Sequence, residues 1–81
     1  MDETIINEPI EVGVVFGKNK VDPKWFVWKT RKYAIKETTF TWQDKQGEAN
    51  MMYFSVTNGA TLFEISFNTK NLSWRLEKTC A

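Results

Sequence analysis

The stretch Tyr53 to Ile65 reads YFSVTNGATLFEI, two alternating apolar runs on either side of Asn58-Gly59. A two-residue type I′ turn needs positive φ at both central positions, and Asn followed by Gly accepts this most easily. With that turn, Val56 faces Thr61, Phe54 faces Phe63 and Met52 faces Ile65 on one side of the hairpin. Tyr53 faces Glu64 and Ser55 faces Leu62 on the other. One face is apolar and the other mostly polar, which is the pattern of a sheet with one buried side.

Toward the C-terminus, Asn68-Thr69-Lys70-Asn71 has the composition of a four-residue loop. It sets Phe67 against Leu72, Ile65 against Trp74 and Phe63 against Leu76, so the last strand extends the same apolar face. Behind it, Glu64 comes opposite Arg75 as an ion pair. Toward the N-terminus, PKWFVWKTRKYAIK over residues 23–36 forms another hairpin if Thr30-Arg31 is its tip. Trp28 then faces Tyr33 and Phe26 faces Ile35, a second apolar patch suited to packing on the first. Trp25, Val27, Lys29, Lys32, Ala34 and Lys36 take the reverse side. There Trp25 lies roughly opposite Lys36, and Lys29 opposite Lys32 is mildly repulsive.

Phe40 and Trp42 alternate in phase with Lys36 rather than with Ile35, and a bulge near Thr38-Thr39 would shift them into the core. The polar run Gln43 to Asn50 is expected to be a loop. Ile10 to Phe16 makes the first strand, with Ile10, Val12, Val14 and Phe16 on one face. Residues 1–9 are expected to be a flexible acidic segment. No stretch sustains helical spacing. The expected fold is all-β: one domain over residues 10–79, a single antiparallel meander of about six strands in a strongly curled sheet or small SH3-like barrel.

The formal net charge of +1 points to neither nucleic acid nor a membrane surface. Its distribution is uneven. Residues 1–17 carry four acidic side chains and no Lys or Arg, whereas residues 18–36 carry seven basic ones against Asp22 alone. Cys80 is the single cysteine, so packing rather than an internal disulfide must hold the fold, and a cytoplasmic location is expected. No apolar run approaches the ~20 residues of a membrane helix. With no histidine, a lone cysteine and scattered glycines, the usual nucleophile systems, histidine zinc sites and phosphate loops are missing. No catalytic residue, metal or cofactor is implied.

The string Pro23-x-x-Phe26-x-Trp28-x-x-Arg31-x-Tyr33-x-Ile35, followed by Trp42, Tyr53, the Gly59 turn, Phe63-Glu64-Ile65 and Trp74-x-Leu76-Glu77, resembles a family of short uncharacterised bacterial proteins. This domain of unknown function has some members encoded near accessory proteins of translesion DNA polymerases. The resemblance implies a small all-β fold and no established activity. Thr30 stands where that family has Gly, and a β-branched residue resists positive φ.

The sequence favours a non-catalytic module that binds another protein or itself, through a sheet edge or the face carrying Tyr53, Ser55, Leu62, Glu64 and Arg75. The alternative is single-stranded nucleic acid held by Trp25, Lys29, Arg31, Lys32 and Lys36, with a base stacked on Trp25. If Trp25 stands in water for that purpose, Trp25→Ala leaves stability nearly unchanged.

Overall fold

The computed structural model describes residues 3–80, which form seven strands. These are β1 (Glu3–Gly17), β2 (Lys20–Trp28), β3 (Arg31–Ala34), β4 (Glu37–Gln46), β5 (Ala49–Thr57), β6 (Leu62–Asn68) and β7 (Ser73–Cys80). They make one antiparallel sheet in the order β3-β2-β1-β7-β6-β5-β4. No helix among the described residues is long and apolar enough to cross a membrane.

Two bent stretches of chain turn this sheet into a curled shell. The first half of β1 pairs with β7 and its second half with β2. At the other corner, β3 and β4 run on in the same direction, joined only by Ile35 and Lys36. There the chain leaves β2 for β5, with Ile35 N donating to Lys24 O at 2.9 Å and Lys36 N to Thr57 O at 2.8 Å. The two ends of the sheet are thus linked by two residues, but no ladder joins β3 to β4 and the shell is not closed into a barrel.

Bulges supply the bending, because an extra residue on one strand adds local twist. They fall at Ile6-Asn7 in β1, at Lys24 in β2, at Thr39 in β4 and at Glu77 in β7. Asn7 has φ 51 and is held by Arg75, whose Nε donates to Asn7 Oδ1 at 3.0 Å and whose terminal nitrogen donates to Asn7 O at 2.7 Å.

The core forms where the inner faces meet. Phe26 of β2 packs with Phe54, Val56, Phe63, Ile65, Phe67, Trp74 and Leu76 from β5, β6 and β7. All eight were expected on the inner side. Ile10, Val12, Val14, Trp28, Tyr33 and Ile35 pack against them half-buried.

The expected registers are corrected, each by two residues. Val56 pairs with Phe63 and Phe54 with Ile65, because Asn58 to Thr61 form a four-residue loop. Asn58 Oδ1 accepts from Ala60 N at 3.0 Å and Thr61 N at 2.8 Å, so this side chain closes the loop that a type I′ turn would have shortened. Likewise Phe67 pairs with Trp74 and Phe26 with Tyr33. Lys32 therefore faces Val27 rather than Lys29, while the bulge at Glu77 adds a third residue to the shift and sets Glu64 opposite Lys78 rather than Arg75. A shift of two keeps every side chain on its own face, so the core survives the error.

Two other expectations are overturned. Glu3 to Pro9 are not loose but extend β1 along β7, while Met1 and Asp2 lie outside the described residues. Gln43 to Gln46 and Ala49 to Asn50 are strand, turning at Gly47-Glu48 with Gly47 at φ 61. Phe16, near the end of β1, is 64% exposed.

The β2–β3 turn is strained. It has two residues, Lys29 at φ 52 and Thr30 at φ 62, so Thr30 occupies the left-handed region after all. An L-residue there costs roughly 1–2 kcal/mol, more than Gly loses in chain entropy. Thr30→Gly is expected to stabilise the domain by about 1 kcal/mol, read as a rise in Tm of roughly 4–8 °C. A lower Tm would contradict the left-handed turn.

Candidate protein-interaction edge

The two strands at the ends of the sheet differ in a way that separates a guarded edge from an available one. β3 is four residues long, and its Arg31 and Lys32 are exposed. Short, cationic edge strands resist pairing with another chain. The five residues expected to form a nucleic-acid surface lie around this end, but on different sides of it. Lys29 Nζ sits 5.1 Å from the ring centroid of Trp28, and Arg31 Cζ 5.8 Å from that of Tyr33, both inner-face rings. Lys32 lies on the outer face, its Nζ 4.6 Å from the ring centroid of Trp25. Lys36 is at the far corner beside Gly59, where its Cδ is 3.5 Å from the position a Cβ would take.

Trp25 is half-buried, not free in water. Its indole lies across the chain at Gly13, its partner on β1, so closely that a Cβ there would overlap the ring at Trp25 Cε2. With Gly13 beneath it and the Lys32 ammonium over the ring, a base stacks on Trp25 only by displacing that cation.

β4 is ten residues long and, among the described residues, pairs only with β5, which leaves its other edge open. The bulge at Thr39 was expected; its consequence was not. Phe40 and Trp42 follow it on the outer face, opposite Ser55 and Tyr53, and Phe40 is 64% exposed. Trp42 stacks on Tyr53, with centroids 5.3 Å apart and planes within 8°, while Phe40 leans on Trp42 at 5.6 Å.

Gln46 Nε2 donates to Tyr53 Oη at 3.4 Å. Burial first, then the carboxylates of Glu77, Asp44 and Glu64, hold the Tyr53 phenol above its ordinary pKa, so it stays protonated. Farther across this face a cleft of about 590 Å³ contains groups that satisfy one another. Arg75 holds Asn7, Ser66 Oγ donates to Glu77 Oε2 at 2.6 Å, and Lys78 lies 3.2 Å from Glu3 and 3.7 Å from Glu64. The expected row of Tyr53, Ser55, Leu62, Glu64 and Arg75 does share this outer side, but its charges are spent internally.

The open side of β4 borders a second cleft, of about 570 Å³, which separates it from the first half of β2. Thr38, Thr41 and Gln43 line the β4 wall, and the apolar floor is Met52 and Phe54. Thr38 Oγ1 is buried with no hydrogen-bond partner among the described residues.

No family model matches the chain, and neither does any curated protein or solved structure. The likeness to the uncharacterised bacterial family rests on the residues quoted above.

Proposed function

We propose that the protein is a non-catalytic interaction module that takes an extended segment of another protein as an added strand on β4. The observation that carries this reading is the ten-residue open edge with Phe40 64% exposed beside it. Main-chain hydrogen bonds along such an edge supply affinity, and side chains at alternate positions supply specificity. Phe40, backed by Trp42 and Tyr53, is the anchor, since binding energy concentrates on a few large aromatics. Of the cations of the nucleic-acid alternative, Lys29, Arg31 and Lys32 already lie over the protein's own rings at the β3 end of the sheet.

The test uses extended peptides selected from a random displayed library and mapped by amide chemical shifts. Shifts are expected along Glu37–Gln46, and Phe40→Glu is expected to weaken binding by about tenfold or more. Because Phe40 is exposed, stability should change by no more than ~0.5 kcal/mol. Unchanged affinity in Phe40→Glu would remove the edge as the site. Steeply salt-dependent binding of a single-stranded oligonucleotide to residues 24–36 would favour the alternative instead.

A further inference from the structure

We infer that the segment added to β4 is acidic and fills the cleft between β4 and β2. This rests on the strand-addition reading and specifies the chemistry of the occupant. The open edge of β4 does not face bulk solvent along its whole length. From Thr38 to Gln43 it looks across the 570 Å³ cleft at Lys20 and Lys24 of β2, with Lys36 at the corner. A strand hydrogen-bonded to β4 would lie about 4.8 Å from it and would occupy this space. Its side chains would alternate between the floor of Met52 and Phe54 and the exterior beside Phe40.

The charges in this cleft do not cancel. Asp22 is engaged by Lys24, whose Nζ is 2.7 Å from Asp22 Oδ2. Among the described residues, Lys20 and Lys36 form no ion pair, and Glu37 is the remaining carboxylate at the cleft. Lys20, Lys24 and Lys36 stand against Asp22 and Glu37, so the cleft carries one positive charge in excess, with the Lys36 ammonium beside Gly59 at its corner. Carboxylates on that strand are the complement, and like-charged lysines would be rejected. Inward positions call for apolar side chains, because Met52 and Phe54 form the floor. The occupant is therefore an extended segment alternating apolar and acidic residues.

The probes are two peptides of about eight residues. One alternates valine with aspartate, the other valine with lysine. Each is titrated at low and moderate salt into the wild-type protein and into Lys20→Glu/Lys36→Glu, with amide shifts as the readout. The acidic peptide is expected to bind wild type about tenfold or more tightly than the basic one, to weaken with salt, and to shift residues 20–24 as well as 37–46. The double variant should invert the preference, and both substituted side chains are exposed, so it should fold normally. Equal binding of the two peptides, or a preference that the reversal leaves unchanged, overturns the acidic occupant while strand addition stands. Failure of both peptides to shift residues 37–46 overturns strand addition as well. Concentration-dependent shifts of β4 without peptide would assign the edge to a second copy and overturn the inference.

Discussion

Phe26→Ala is expected to destabilise the domain by ~3–5 kcal/mol, the usual cost of emptying a buried aromatic site. A chain of this length has a total stability on the order of 4–12 kcal/mol, so the variant should be largely unfolded at moderate denaturant or body temperature. Phe26 is fully buried and belongs to β2, from which it enters the core cluster. It stacks on Tyr33 at 5.0 Å and meets Phe63 edge-on at 5.1 Å, so one ring joins the β2–β3 hairpin to β6. Its loss would leave a void at that junction. Urea titration followed by tryptophan emission measures the effect, and a loss below about 1 kcal/mol would mean that the hairpin does not pack on the rest of the shell.

Gly13→Ala is the second large effect, and it comes from the opposite cause. Gly13 has ordinary backbone geometry, so Ala alone would slightly stabilise a strand through reduced chain entropy. Here the added methyl would overlap the Trp25 indole, which must lift off β1 and away from Lys32. Overpacking of this kind costs ~1–3 kcal/mol. The cost belongs to the pair. In a Trp25→Ala background, Gly13→Ala should become neutral or mildly stabilising, giving a coupling of ~1–3 kcal/mol in a double-mutant cycle. Additive effects would contradict the contact. Trp25→Ala alone should also lower stability measurably, unlike a side chain standing in water.

The pair also shows what a single sequence reveals and what it hides. Alternation placed Phe26, Phe54, Ile65 and Trp74 inside because parity along a strand decides the face, and parity survives a register shift of two. Register itself depends on loop closure, and Asn58 spends its side chain on a longer loop than Asn-Gly usually makes. Bulges interrupt the count, so the first half of β1 looked patternless around Ile6-Asn7. Gln43 to Gln46 looked like a loop because an edge strand facing solvent needs few apolar residues. Nothing in the sequence says that Gly13 lies under Trp25, since that depends on which strands are neighbours. Phe40 and Trp42 were placed in the core because large aromatics usually go there. Thr38 pairs with the buried Val56, and the bulge at Thr39 turns the two aromatics after it to the outer face instead of into the core.

The proposed interaction surface accordingly lies on β4 rather than on the basic hairpin. Trp25 is held between Gly13 and Lys32, and the cations at β3 guard a short edge. The side of β4 that no strand among the described residues covers is left open.

Amide hydrogen exchange along β4, measured at a concentration where light scattering shows a monomer, tests this most directly. In an antiparallel edge strand, alternate N–H groups point toward the partner strand and toward the open side. Slow and fast exchange should therefore alternate from Thr41 to Gln46, the slow amides being those bonded to β5. Uniformly slow exchange along that segment would mean that the edge is already covered, and would contradict the account.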